Sequence, residues 1–163
     1  ASRRAGLHLD EAEDEFETPE RLKASVQIIA PTLRLTQSEQ EELLPHTRLA
    51  RYGTDEYVQF AGQVPKRMSF IVSGRVRLVV SGDDGAVIPV RTLSEGDFLG
   101  QTALTREAVA AAAYALEEVT VLQIERDYTE ELVARKPVLL QDIGRAIEER
   151  RASLRRALAA ADD

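Results

Sequence analysis

The segment FIVSGRVRLVVSGDDG, residues 70–85, decides the fold class. An apolar run ends at Gly74, and the next run alternates, with Val76 and Leu78 on one face and Arg75 and Arg77 on the other. That two-residue period belongs to a β-strand with one buried face. Gly82-Asp83-Asp84-Gly85 then supplies residues that tolerate the positive φ of a tight hairpin, so the chain is expected to fold back into another strand. The same rhythm extends outward on both sides. Gly53, Gly62, Gly74, Gly82, Gly85, Gly96 and Gly100 punctuate short runs rich in Val, Ile, Leu and Phe. Strands are expected at 47–52, 57–60, 68–72, 75–81, 87–93, 112–116 and 119–124, which together make a β-roll over residues 47–124.

On either side of the roll the apolar period changes to 3.6. Thr18 and Pro19 form a helix start, Leu22, Val26 and Ile29 share a face, and Pro31 is expected to stop the helix. Ser38 is a second start signal ahead of residues 39–44, and Pro45 closes that short helix. After the roll, Asp127 is expected to cap a helix running to Arg135. Pro137 opens a long amphipathic helix, roughly 20 residues, with Leu140, Ile143, Ile147, Leu154 and Leu158 along one face. The expected class is therefore mainly β with flanking helices: a jelly-roll-like double-stranded β-helix, N-terminal helices before it and two C-terminal helices over 127–161 after it. Residues 10–17, DEAEDEFE, are almost all acidic and are expected to be a self-repelling linker. This divides the chain into a tail, residues 1–18, and one domain, residues 19–161.

The composition is that of one globular domain: 163 residues, 44% hydrophobic and 30% charged. No apolar run approaches the roughly 20 residues of a membrane-spanning helix, so the piece is expected to be soluble. Without an initiating Met it reads as part of a longer protein. The absence of cysteine rules out disulfides and thiolate chemistry. A net charge of −7 argues against nucleic acid as a partner, because phosphate-binding faces need surplus Lys and Arg. Arg145, Arg150, Arg151, Arg155 and Arg156 cluster near the end, but Glu148 and Glu149 are interleaved, and a solvated helix face is expected. With only His8 and His46, and neither in a roll strand, no metal site is expected. No nucleophile has its base, so no catalytic residue is expected either.

Helix, β-roll, a short helix and a long helix, with Gly96-Asp97-Phe98-Leu99-Gly100-Gln101-Thr102-Ala103-Leu104 late in the roll, resemble the cyclic nucleotide-binding domain family. The resemblance covers residues 22–158 and includes Phe70-Ile71-Val72-Ser73-Gly74 and the Ser94-Glu95-Gly96-Asp97 lead-in. It implies that Gly100, Gln101, Thr102 and Ala103 are positions of a phosphate-binding cassette. The family follows the glycine with a glutamate for the ribose hydroxyl and, about nine residues later, places an arginine for the phosphate. Matched residue by residue, those positions are Gln101 and Ala110, with Ala111 and Ala112 continuing the small-residue run. Binding of cAMP or cGMP is therefore expected to be weakened or lost, since removing one partner of a buried charge pair costs about 2–5 kcal/mol. Arg106 is either a substitute cation or an exposed loop residue. Residues 107–114 are strong helix formers by propensity, where the family has a strand, and a helix there would void the match at Ala110.

Arg3-Arg4-Ala5-Gly6-Leu7-His8-Leu9 resembles the end of the cytoplasmic domain of small-conductance mechanosensitive channels. That likeness implies a non-enzymatic regulatory domain on the cytoplasmic side of a channel-like membrane protein. Its partners would be the preceding channel domain or neighbouring subunits, and the long helix could support a homo-oligomer. The alternative is the sensor domain of a catabolite-activator-type transcription regulator without its DNA-binding part.

Overall fold

The computed structural model describes residues 16–162. Helices α1 (Pro19–Leu33) and α2 (Gln37–Leu43) and a 3₁₀ turn (Leu44–His46) lead into eight strands. These are β1 (Thr47–Tyr52), β2 (Tyr57–Gln59), β3 (Arg67–Ser73), β4 (Val76–Ser81), β5 (Val87–Leu93), β6 (Phe98–Leu99), β7 (Ala112–Ala115) and β8 (Val119–Glu125). A second 3₁₀ turn, Gln101–Ala103, follows β6, and helices α3 (Arg126–Arg135) and α4 (Pro137–Asp162) close the chain. The strands form two four-stranded antiparallel sheets, ordered β1-β8-β3-β6 and β2-β7-β4-β5. This is the mainly β roll with flanking helices that the residue pattern predicts.

In one sheet the central strands β3 and β8 are buried on both faces. Met68, Phe70 and Val72 of β3, with Leu122 and Ile124 of β8, join a core with Val26, Ile29 and Leu33 of α1, Leu132 of α3 and Leu139 and Ile143 of α4. Ile71 and Val121 turn into the roll, against Val76, Leu78, Leu93, Leu99 and Ala113. Successive strand residues point to opposite faces, so a strand covered on both sides reads as an unbroken apolar run. In the other sheet Val76 and Leu78 are buried and Arg75 and Arg77 are not, as alternation requires.

Several local expectations are corrected. Pro31 does not stop α1: it lies on the exposed side within the last turn, two residues before the end, and the helix closes at Arg34 in the left-handed region (φ 52°). Thr36, not Ser38, caps α2. Its Oγ1 accepts from the Glu39 amide at 3.1 Å while the Glu39 carboxylate accepts from the Thr36 amide at 3.0 Å. Helix α3 starts after Glu125 with no side-chain cap, so Asp127 sits within its first turn. In α4, 26 residues long, Leu139 is buried while Leu140 is 58% exposed, and Leu158 also faces outward. The two-residue β6 is too short to show a period, yet it pairs with β3 through Ser69↔Leu99 and Phe70↔Phe98. The alanines that favour a helix lie in β7, with Ala113 and Ala115 fully buried, so tertiary packing overrides propensity there.

Most of the acidic stretch, and the whole of the channel-like segment at residues 3–9, lie outside the described residues. Its last two residues are docked. The Leu49 amide donates to Glu17 Oε1 at 2.9 Å, and the Arg51 guanidinium lies 4.4 Å from the Phe16 ring centroid. No helix among the described residues is long and apolar enough to cross a membrane.

Candidate functional site

A cavity of about 410 Å³ lies between the roll and α4. Leu78, Val90 and Leu99 give it an apolar wall, and Gln101, Thr102, Ala110 and Ala111 line it together. From the other side α4 contributes Ile147, Arg150 and Leu154. The segment leading to β7 is held in place by backbone pairing: the Val109 amide donates to the Gln63 carbonyl at 2.8 Å, and the Gly62 amide donates to the Val109 carbonyl at 2.9 Å. Gln59 Nε2 donates to the Ala111 carbonyl at 2.9 Å. Ala110 and Ala111 are thus fixed on the wall rather than carried on a helix.

The remaining expected positions do not line this cavity. Gly100 precedes the 3₁₀ turn with φ 74°, and a Cβ there would come within 2.8 Å of the Arg67 carbonyl oxygen. It borders a separate groove of about 420 Å³ with Pro65, Lys66 and Arg67. Ala103 is fully buried in the core. Arg106 takes a left-handed backbone (φ 60°), and its guanidinium lies 3.8 Å from Glu130 of α3, so the substitute-cation role is not seen.

The cation at the cavity comes from another element. Arg150 of α4, expected on a solvated face, instead stacks 4.5 Å from the Phe98 ring centroid, and its Nη1 donates to Gln101 Oε1 at 3.4 Å. Burial pushes its pKa down to about 10; Asp97 and Glu149 work in favour of the charge and Arg91 against it. The group stays cationic at neutral pH. Ile143, Ile147, Arg150 and Leu154 are spaced four, three and four residues apart, so the helical period itself puts Arg150 on the inward face. In the same lining, Thr102 Oγ1 is buried without a hydrogen-bond partner.

Elsewhere, Tyr128 and His46 pack against each other. Tyr128 is buried and its hydroxyl donates to Glu42 Oε1 at 2.7 Å, while His46 stacks on it at 4.6 Å. Among the described residues, no three acidic or histidine side chains are grouped to hold a metal.

The model of a family described as "Cyclic nucleotide-binding domain" matches residues 49–136, more than half of the chain. The "cAMP-activated global transcriptional regulator Vfr" of Pseudomonas aeruginosa is 26% identical over 115 residues, which cover 68% of this chain and 54% of that protein. The chain thus spans about half the length of the curated relatives it matches. Among solved structures, the catabolite activator protein of Thermus thermophilus superposes with a TM-score of 0.63 at 22% identity, over 80% of this chain and 62% of that one. The regulatory subunit of a cAMP-independent protein kinase A from Trypanosoma brucei gives 0.67 at 21% identity, over 77% and 48%. Both likenesses are of fold.

Proposed function

The chain belongs to the cyclic nucleotide-binding domain family, and on that premise we propose that it is a non-enzymatic regulatory domain whose response to cyclic nucleotides is weakened or lost. The observation that carries this reading is the pairing of an intact cavity with missing anchors. Gln101 and Ala110 both line it, at the positions where the family resemblance calls for a glutamate and an arginine. Gln101 can accept a hydrogen bond but carries no charge, and Ala110 can neither neutralise nor orient a phosphate. The expected loss is about thirty-fold to several-thousand-fold in affinity. A structure of the same fold, described as the regulatory subunit of a cAMP-independent protein kinase A, supports a member of this architecture that does not depend on cAMP.

Two parent proteins fit the domain. Residues 3–9 support a channel-like membrane protein with this domain on its cytoplasmic side; the likeness to Vfr supports the sensor domain of a transcription regulator. Hydrophobic spans upstream in the full-length product would select the first, and a basic helix pair downstream the second.

A thermal titration with cAMP and cGMP tests the reading. A ligand at 100 times its Kd stabilises by about 2.7 kcal/mol. The expected result is no displacement of the melting temperature at micromolar nucleotide and at most a small one at millimolar. Saturation in the micromolar range would contradict it.

A further inference from the structure

We propose that the groove of about 420 Å³ bordered by Gly100 is a second binding site, and that it takes a phosphate monoester carrying a small apolar group. The phosphate is held by Lys66, Arg67, the Ser69 hydroxyl and the Gln123 side-chain amide. The proposal does not rest on the reading of the first cavity as a cyclic-nucleotide pocket.

The strand pattern brings these donors together. Arg67 and Ser69 of β3 alternate onto the face that carries Ile71 into the roll, and Gln123 of β8 stands directly opposite Ser69, on the face of Val121. Lys66 reaches the groove from the loop before β3. No Asp or Glu lines this groove among the described residues, in a chain with 28 acidic side chains against 21 basic ones. Glu17 and Glu125 share a neighbouring cavity with Arg67, yet each is engaged: Glu17 Oε1 accepts from the Leu49 amide at 2.9 Å, and Glu125 Oε1 lies 3.0 Å from His46 Nδ1. Arg67 makes no ion pair among the described residues. Ser69 is an independent sign: it is only 9% exposed, and its hydroxyl makes no hydrogen bond among the described residues. A polar group so far removed from solvent ordinarily has a partner.

The donor set defines the ligand. Two cations, a hydroxyl and a primary amide all donate, and a phosphate monoester near neutral pH offers acceptor oxygens with a charge of about −1.5 to −2. A carboxylate would answer only one of the two cations. The planar fork of Arg67 matches a pair of phosphate oxygens, and Lys66 adds a point charge. Val58, Val64 and Leu99 form an apolar wall beside the donors, which calls for an apolar group on the ester oxygen. Gln59 and Leu99 line the first cavity as well, whereas Ser69 and Gln123 line only the groove, so these two report it alone.

The test is an NMR titration of the whole chain with phenyl phosphate, following the Ser69 backbone amide and the Gln123 side-chain amide, with phenol and inorganic phosphate as comparisons. The expected result is that phenyl phosphate shifts both signals saturably, with a submillimolar to millimolar Kd. Inorganic phosphate should bind the same place several-fold more weakly, and phenol should leave both signals still. R67Q should weaken phenyl phosphate binding at least ten-fold. K66Q should weaken it several-fold, and because Lys66 is exposed this variant keeps the test decisive if R67Q folds poorly. Silence from phenyl phosphate would overturn the proposal, as would binding that R67Q and K66Q leave unchanged. Phenol binding as tightly as phenyl phosphate would overturn it by removing the role of the charge, and inorganic phosphate binding as tightly would remove the role of the apolar wall. A response that spares Ser69 and Gln123 and appears at Ala110 and Arg150 would place the anion in the first cavity and overturn it too.

Discussion

Gly100 shows how a single residue shapes the pocket. Its φ of 74° is open to glycine and strained for other residues, and the space where a Cβ would sit is occupied by the Arg67 carbonyl, 2.8 Å away. Gly100→Ala should therefore cost about 1–3 kcal/mol of stability, measured by urea unfolding followed by circular dichroism. Gly62→Ala is the control: its φ is also positive, but nothing lies within 4 Å, and a smaller loss is expected. Equal losses would show that backbone strain alone, without the clash, sets the cost. At this scale the turn glycines are legible in the sequence because φ is a local property. Arg150 was misplaced: its four-three-four spacing with Ile143, Ile147 and Leu154 puts it on the inward face, but the surrounding charges led to the expectation of a solvated residue. The orphaned Thr102 hydroxyl has no sequence signal, since what it lacks is a partner from elsewhere in the chain.

Among the elements, the junction of α2, α3 and α4 depends on Glu39. Burial works against its charge, but hydrogen bonds from Lys136, the Thr36 amide and Arg135 outweigh it, and its pKa falls below the ordinary 4.5. A carboxylate with a lowered folded-state pKa contributes stability that is present above its unfolded value and is lost as pH falls through the folded one. Asp142, held down by the hydrogen bond from Arg34, and Glu42, held down by Tyr128 and Arg135, act in the same direction. Stability should thus hold from neutral pH to about 4.5 and decline below it. Glu39→Gln should lose about 1–2 kcal/mol at pH 7 and flatten the acid limb; a slope unchanged by the substitution would place the titrating group elsewhere. The strands were legible here because alternation and turn residues are local, and β1 and β5 fall within the expected bounds. What was not legible depends on packing: β6 exists because β3 pairs with it, and the choice of Leu139 over Leu140 follows from which helix side meets the core.

At the scale of the whole molecule, two coupled units share one pocket: a roll whose double-sided sheet is anchored to the helices, and a long helix that closes over the cavity. The order of elements was readable from the sequence because period and punctuation change at residues 47 and 124. The contact between α4 and the roll was not, since it joins residues about 50 positions apart, Arg150 with Gln101 and Phe98. The central claim is that the cavity lacks a cation on the roll side, at Ala110. Calorimetric titration of Ala110→Arg with cAMP, beside the unsubstituted chain, tests it most directly. The account predicts at least a ten-fold gain in affinity from the substitution, about 1.4 kcal/mol. An Ala110→Arg protein that folds normally and binds cAMP no better than its parent would contradict it.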